Sequence, residues 1–306
     1  MKVLVIGSSL IDYTLEACSD CEVNYFDNNV ENYAGTGLIS AKLLSDWGVD
    51  VSLLTSVGKD EEGKNLLDFL KENDIDVKLV AEEEKTEKRI TILNKEKNEK
   101  KVYYVSCEKN YKNVSIDEHY DIILINDSKL AINLIDELKG IIVLNAKEND
   151  EETLKLVEKA NYIIASKSFA ETLSTQRIDY FKPDSLKEVL KSIENKTNAK
   201  IIITLGEKGT LYRKDDKIKV MGALKVQSLD DSYCKSIYNA SFVYALTESL
   251  EIEKALKIAT ISSGLSLKKV GALNSIPDIR EVHKIYGKNK WPIHILLSKY
   301  RPSRFR

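Results

Sequence analysis

The sequence predicts an α/β protein with a doubly wound, mostly parallel sheet flanked by helices and a second, small β-sheet. Short, continuous apolar runs, such as "KVLVIG" at 2–7 and "YDIILIN" at 120–126, alternate along the chain with helical patterns. Continuous apolar strands separated by helices are typical of a parallel sheet that helices cover on both faces. Residues 88–106 break the alternation, because two strand-like runs flank a charged turn and predict a hairpin.

The individual elements of the main sheet follow from spacing and helix stops. Residues 49–58 read as a strand between two helices. In the helix before it, over 36–48, apolar side chains recur at nearly helical spacing and Gly48 supplies a stop. The helix after it is "DEEGKNLLDFLKEND". Three further strands are predicted by the apolar runs "GIIVLN", "ANYIIAS" and "AKIIITLG".

The small sheet is expected to form a lid set apart from the main sheet. Its predicted parts are the irregular stretch at about 13–34 and the hairpin region at about 86–107. No linker or repeat divides the chain, so residues 1–306 are predicted to form a single domain. The basic and aromatic C-terminal tail, 284–306, is atypical, and we expect its apolar part to pack on that domain.

Composition excludes several classes of protein. The 306 residues are 43% hydrophobic and 31% charged, which is typical of a folded globular chain. A formal net charge of −2 gives no electrostatic reason to expect a nucleic-acid partner. The N-terminal run lacks the features of a secretory signal, and no segment approaches the roughly 18 apolar residues that would span a membrane. We therefore expect a cytoplasmic protein.

The four cysteines, Cys18, Cys21, Cys107 and Cys234, suit a reducing compartment. Cys18 and Cys21 have the spacing of a redox motif. However, no helical pattern follows them, and no second Cys/His pair lies nearby for zinc. Ordinary structural cysteines are the favoured interpretation, and no metal site is predicted from protein ligands.

Three segments, in order along the chain, resemble the ribokinase-like, or PfkB, family of carbohydrate kinases. "SVGKDEEGKNLLDFLKENDIDV" resembles the V-G-x-D-x-x-G segment and following helix of that family. "TLGEKGTLY" resembles its nucleotide-bordering strand and turn, and "EKALKIATISSGLSLKKVGALNSIPD" its closing helix. The resemblance implies a ribokinase-like fold with a β-lid. It also implies transfer of the γ-phosphoryl group of ATP to a sugar or nucleoside hydroxyl with a divalent metal such as Mg²⁺, and possible homodimers through the lid.

The resemblance places the C-terminal D-T-T-G-A-G-D motif of the family on residues 230–236. Asp230 keeps the first aspartate, but Ser236 stands at the position of the catalytic base. Tyr233, Cys234 and Lys235 replace the Gly-Ala-Gly that brings backbone N–H groups close to the migrating phosphoryl group. A neutral serine cannot accept a proton near pH 7 as a carboxylate does, and side chains at glycine positions block close backbone approach.

Two further motifs have lost their polar residues. The metal-organising N-x-x-E motif aligns with residues 166–169, "SKSF", although Glu171 lies two residues further on. The G-G-x-x-x-N sugar motif aligns with residues 34–39, so that Ile39 replaces the hydroxyl-binding asparagine. The substrate-binding residues that the resemblance carries over are Asp12, Gly35, Thr36 and Gly37, and the nucleotide-binding residues are Thr204, Gly206, Gly209 and Lys235.

Structural roles remain open for several of these residues. Asp12 is equally well interpreted as a ligand contact or as a turn cap. Asp231 is interpreted either as a displaced base or, more simply, as a helix N-cap. Lys235 either attracts phosphate or is merely solvated, and Tyr233 falls on a helical stripe that indicates core packing.

Taken together, these substitutions predict a PfkB homologue that is a pseudokinase, with weak or absent phosphotransfer and a ligand-binding or regulatory role. ATP and Mg²⁺ are the cofactors that the family implies, and their binding is expected to be weak. The alternative is an active sugar or nucleoside kinase, a phosphotransferase with an alcohol acceptor, that uses Asp231 or Asp230 as its base on an unusual acceptor.

Overall fold

Two β-sheets organise the structure, a computed structural model that describes residues 1–17, 26–94, 99–105, 115–116, 118–288 and 293–295. Within these residues the strands are β1 (Lys2–Ile6), β2 (Leu10–Ala17), β3 (Phe26–Ala34), β4 (Asp50–Gly58), β5 (Asp76–Glu83), β6 (Lys88–Asn94), β7 (Glu99–Val105), β8 (Ile122–Ile125), β9 (Ile141–Ala146), β10 (Tyr162–Ser166), β11 (Lys200–Thr204), β12 (Thr210–Lys214), β13 (Lys217–Met221) and β14 (Ile293–Ile295). The α-helices are α1 (Thr36–Asp46), α2 (Glu61–Glu72), α3 (Ser128–Ala131), α4 (Glu151–Lys159), α5 (Lys167–Ser174), α6 (Pro183–Glu194), α7 (Cys234–Thr247), α8 (Ile252–Ser266) and α9 (Ile279–Lys288).

The large sheet has the strand order β14-β13-β12-β11-β10-β9-β8-β1-β4-β5. Every pairing from β11 through β10, β9, β8, β1 and β4 to β5 is parallel. The pairings of β11 with β12, β12 with β13 and β13 with β14 are antiparallel. The predicted doubly wound, mostly parallel sheet is confirmed, with an antiparallel extension at one edge.

A separate apolar cluster covers each face of the large sheet. The first contains the buried side chains of α1, α2, α7 and α8, together with alternate residues of β1 and β4. The second contains those of α4, α5 and α6 with the other face of β8, β9 and β10. Because both faces are covered, the central strands are apolar at nearly every position, which explains why they appear in the sequence as unbroken runs.

The small sheet has the strand order β3-β2-β6-β7. The predicted hairpin over 88–106 is confirmed, because β6 pairs with β7 in antiparallel register. The stretch that the sequence left irregular, 13–34, contains most of β2 and all of β3. Of the predicted lid, residues 18–25, 95–98 and 106–107 lie outside the described residues, as do Cys18, Cys21, Cys107 and most of the C-terminal tail.

The small sheet joins the main domain where β4 ends and α2 begins. The side chain of Asp60 accepts hydrogen bonds from the backbone N–H of Gly63 at 2.9 Å and of Thr86 at 2.8 Å. It therefore caps α2 and holds the entry to β6 at once. A Cβ on Gly63 would lie 2.0 Å from the carbonyl oxygen of Gly58, so the glycines of this segment permit the close approach of three backbone segments.

We predict that Gly63→Ala destabilises the protein even though alanine favours a helix. The new methyl group has no room against the Gly58 carbonyl, and overpacking costs about 1–3 kcal/mol of the free energy of unfolding. Gly287→Ala, in α9, is the matched control because nothing lies within 4 Å of its added Cβ. Urea unfolding should show Gly287→Ala as neutral or slightly stabilising. Equal stability of the two variants would contradict the packing argument.

Candidate active site

Polar side chains converge where the parallel strands end and α1 and α7 begin. The amide of Asn126, just after β8, donates to the Thr36 carbonyl at 3.1 Å and to Ser40 Oγ at 2.9 Å. Asn126 Oδ1 in turn accepts from the amides of Asn145 at 3.1 Å and Asn239 at 3.4 Å. In open α/β sheets the crevice at the carboxyl ends of the strands is where ligands bind. This buried network fixes the floor of that crevice.

Asp230 at the mouth of α7 is committed to holding its own loop. Its Oδ1 accepts from the backbone N–H of Ser232 at 3.0 Å and from the Ser232 hydroxyl at 2.5 Å. Its Oδ2 accepts from the backbone N–H of Gly271 at 3.2 Å. These bonds tie the start of α7 to the segment after α8. Asp230 thus has a structural role here, whatever else it does.

Asp231 is exposed and lies two residues before the N-cap position of α7. The helix begins at Cys234, and Tyr233 occupies the N-cap position without a side-chain capping bond. The N-cap position that the sequence suggested for Asp231 is therefore wrong. Cys234 itself is half-buried, and burial raises the pKa of its thiol.

Ser236, at the position of the family's base, is buried against α1. Ser236 is only 3% exposed, and its backbone carbonyl accepts a hydrogen bond from Ser40 Oγ at 3.3 Å. Ile39, at the position of the hydroxyl-binding asparagine, is fully buried in the apolar cluster. Neither position presents a polar group of the kind the family motif requires.

Asp12, Arg89 and Tyr233 form a buried contact between the small sheet and the main domain. Arg89 Nε lies 3.2 Å from Asp12 Oδ1, and the Tyr233 hydroxyl donates to Asp12 Oδ2 at 3.3 Å. The Arg89 guanidinium also sits over the Tyr233 ring, 4.7 Å from its centroid. Asp12 lies within β2, paired in register with Arg89, so its interpretation as a turn cap is wrong.

Burial dominates the ionisation of this cluster. Desolvation raises the pKa of Asp12, although Arg89 and the Tyr233 hydroxyl oppose the shift. A carboxyl group with a raised pKa in the folded state favours folding when protonated, and it loses that contribution as pH rises through the raised value. Burial and the Asp12 charge also raise the pKa of Tyr233, so the phenol remains a donor.

Two buried oxygens on this face of the small sheet accept or donate no hydrogen bond among the described residues. They are Asp12 Oδ1 and Thr14 Oγ1, two positions apart on β2 and therefore on the same face. The N–H of Arg89 Nε is directed at Thr91 Oγ1, 3.2 Å away, rather than at the carboxylate. The ion pair between Arg89 and Asp12 therefore leaves Asp12 Oδ1 and Thr14 Oγ1 without a hydrogen bond among the described residues.

Gly35, Thr36 and Gly37 meet the other predicted substrate residues at the start of α1. Gly35 has a φ of 113°, a conformation that favours glycine. Ser8 accepts hydrogen bonds from the first N–H groups of the helix. Its Oγ accepts from the backbone N–H of Thr36 at 3.2 Å, and its carbonyl accepts from that of Gly37 at 3.0 Å. The nearby backbone of Gly35 opposes the rise in the pKa of Tyr233. Gly35 and Asp12 thus both lie near the Tyr233 side chain.

The position of the metal motif carries no free carboxylate. Ser166 caps α5 by accepting from the backbone N–H of Phe169 at 3.1 Å, and the Phe169 ring is fully buried. Glu171 Oε1 accepts from the backbone N–H of Ile178 at 2.8 Å and lies 3.7 Å from Lys167 Nζ. Within the described residues, no three His, Cys, Asp or Glu side chains are grouped to hold a metal. These residues do not fit a metal–phosphate group.

The nucleotide-side residues occupy the turn between β11 and β12. Gly206 has a φ of 59° and open space beside it. Gly209 has a φ of 95°, and a Cβ there would meet the Met221 carbonyl oxygen at 1.9 Å. The Thr204 hydroxyl donates to the Ala165 carbonyl at 3.2 Å. Gly209 is thus required by the turn itself, while Gly206 has a positive φ but no close neighbour that would exclude a side chain.

Arg89 and Lys147 are the residues that the sequence did not single out. Lys147 follows β9 and donates to the Asn126 carbonyl at 3.4 Å. Burial lowers its pKa, and the positive charge of the exposed Lys235 adds to the shift while Asp127 opposes it. The alternation of side chains along β6 could have indicated that Arg89 lies on the same face of the strand as Thr91. The register that sets it beside Asp12 has no local sequence signature.

A model of the pfkB family of carbohydrate kinases matches residues 1–279. The chain belongs to this family. The ribokinase of Lactococcus lactis is 27% identical over 245 residues, which cover 76% of this chain and 78% of that protein. The structure of Arabidopsis thaliana ribokinase complexed with ribose and ATP superposes with a TM-score of 0.78 at 17% identity, covering 94% of this chain and 99% of that one. The nucleoside kinase of Methanocaldococcus jannaschii gives 0.76 at 19% identity, covering 94% and 98%.

The family model ends before the basic tail, at the first residue of α9. The rest of α9 and β14, which pairs with β13 at the edge of the large sheet, lie beyond the matched residues. Over the part of the chain that is described, the helices are too short or too polar to cross a lipid bilayer. The chain is thus a pfkB carbohydrate kinase homologue of ribokinase type.

We predict that Arg89→Met lowers the free energy of unfolding by about 3–5 kcal/mol, because it leaves the Asp12 carboxylate buried without its cation. Adding Asp12→Asn to that variant should recover part of the loss, since no buried charge remains. Arg280→Met is the control: Arg280 is exposed, its one ion pair among the described residues is with nearby Asp278 at the surface, and the variant should show no measurable loss of stability. Chemical denaturation of the wild type, Arg89→Met, Asp12→Asn, the double variant and Arg280→Met would decide, and additive effects of the two pocket substitutions would contradict the pairing.

Proposed function

We propose that this pfkB-family chain has weak or absent phosphotransfer activity and acts by binding a ligand or a partner, as a sensor or regulator. The observation that carries the proposal is the state of the loop at 233–236. Its first residue is a buried tyrosine whose hydroxyl donates to Asp12, and its last residue is a buried serine instead of a base. The proposal explains why the fold is intact while the groups that perform chemistry differ.

The expected loss of rate is large. A general base contributes typically about 10²–10⁴-fold, and one preorganised donor to a developing charge about 10²–10³-fold. Such contributions do not simply multiply, because residues that act as a unit are not additive. Loss of the base alone still predicts a rate at least about 10²-fold below that of an intact relative.

An active kinase that uses Asp231 is the alternative. Asp230 is engaged by Ser232 and by Gly271, which makes it a poor proton acceptor in this arrangement. Asp231, which lies between Asp230 and Ser232 in this loop, is exposed at the mouth of the crevice. A carboxylate in solvent has the right charge for a base, so Asp231 is the residue on which the alternative depends.

The proposed ligand is a sugar or nucleoside, and the proposed assembly is a homodimer. Ribokinase and nucleoside kinase relatives support the first by analogy only. The second is supported by the outer strand of the small sheet, β7, on which Val102, Tyr103, Tyr104 and Val105 are all exposed. A cytoplasmic location stays a prediction of the sequence.

Consumption of ATP with Mg²⁺ across a panel of sugars and nucleosides tests the proposal. We expect turnover well below 1 s⁻¹ on every acceptor, since kinases typically reach about 1–100 s⁻¹. The Lactococcus lactis ribokinase with D-ribose, assayed in parallel, shows that the conditions support phosphotransfer.

Asp231→Asn is the deciding variant. Turnover of about 1 s⁻¹ or more that this substitution abolishes would establish the alternative in place of the proposal. Asp215→Asn, in the turn between β12 and β13, serves as a matched control for loss of one exposed acidic charge.

A further inference from the structure

The Asp12–Arg89–Tyr233 contact joins two parts of the molecule that a ligand site would normally separate. Asp12 and Arg89 belong to neighbouring strands of the small sheet, β2 and β6, whereas Tyr233 precedes α7 of the main domain. All three residues are at most 6% exposed. The contact thus excludes water from the interface between the small sheet and the crevice.

The Tyr233 hydroxyl occupies a position suited to a ligand hydroxyl. It donates to Asp12 Oδ2 at 3.3 Å, and the backbone of Gly35 lies close enough to influence the pKa of the phenol. Asp12 and Gly35 are two of the residues at which the family resemblance expects the substrate to bind. A phenol that donates to a carboxylate satisfies that carboxylate as an alcohol does.

Simple core packing does not account for this arrangement. The Tyr233 ring does contact the apolar cluster around α7, which a phenylalanine would do equally well. The hydroxyl, in contrast, is directed at a buried carboxylate, and the ring face lies under the guanidinium that neutralises that carboxylate. The hydrogen bond to the buried charge and the cation–π contact therefore both stabilise Tyr233 in this position.

We propose that Tyr233 is a built-in occupant of the sugar pocket, which holds the small sheet closed over the crevice in the absence of any ligand. The inference rests on the proposed function, because an efficient kinase needs that space for its acceptor. It makes the contact autoinhibitory: a hydroxyl-bearing ligand that binds at Asp12 must first displace the phenol. Occupation of the site would then release the small sheet from α7.

A second set of contacts, at the base of the small sheet, leaves room for such release. Asp60 holds Thr86, and Glu62 pairs with Lys88 at 2.7 Å, just before Arg89. These contacts anchor the first residues of β6 to α2 independently of Tyr233. The small sheet therefore remains attached to the main domain when the phenol is withdrawn.

Hydrogen exchange on the full chain, without nucleotide or sugar, tests the inference. Tyr233→Phe removes the hydrogen bond to Asp12 from the closed state and should speed exchange of the amides in β2 and β6 about tenfold. Tyr233→Gly removes the whole side chain and should speed it further. Exchange in β8 and β9, in the centre of the large sheet, should not change. The control is Tyr238→Phe, which removes the hydroxyl of a buried α7 tyrosine that contacts Thr210 at 3.1 Å, away from the small sheet.

Unchanged exchange in β2 and β6 in both Tyr233 variants would overturn the inference, as would equal acceleration by Tyr238→Phe. If Tyr233→Gly does not fold, all of its amides will exchange rapidly, and the result for Tyr233→Phe alone then tests the inference. The readout involves no turnover, so it separates this inference from the proposed function. If the protein phosphorylates a sugar rapidly, yet the Tyr233 variants exchange faster in β2 and β6 as stated, only the proposed function is contradicted.

Discussion

A buried carboxylate that must be neutralised is the constraint on which the rest of the site depends. Asp12 is almost completely removed from solvent, and an isolated charge in such a place is very costly. Arg89 supplies the opposite charge, and Tyr233 supplies a hydrogen bond and an aromatic face. Each partner comes from a different element, so the strand register, the position of the small sheet and the start of α7 are fixed together.

The same loop holds the start of α7 in place and carries other residues at the positions where the family has its catalytic motif. Asp230 still holds the loop to the segment after α8, and the polar network around Asn126 still aligns α1 and α7 with the strand ends. The positions that would touch a migrating phosphoryl group carry Tyr233, Cys234 and Lys235 instead. Structural and catalytic requirements on one segment are separable, because backbone capping needs only acceptors, whereas anion binding needs open backbone N–H groups.

The sequence predicted the large sheet well and the site only in part. Continuous apolar strands and capped helices are local signals, and they identified β8 to β11, α1 and α2 as well as the β6–β7 hairpin. The substituted positions of the motifs were also evident, because glycines and carboxylates have fixed roles. The partnership of Asp12 with Arg89 and Tyr233 was not, since it depends on the pairing of β2 with β6 and on the angle at which the small sheet meets α7. Non-local register leaves no trace in a single chain's local pattern.

The central claim is the proposal that the loop at 233–236 and the position of the metal motif no longer hold the phosphates and metal of ATP. Calorimetric titration with adenosine and with ATP, each with and without Mg²⁺, tests this claim most directly. We predict that the two ligands bind with affinities within tenfold of each other and that Mg²⁺ changes neither substantially. Binding of ATP with Mg²⁺ tenfold or more tighter than adenosine, a difference of at least about 1.4 kcal/mol, would contradict the account.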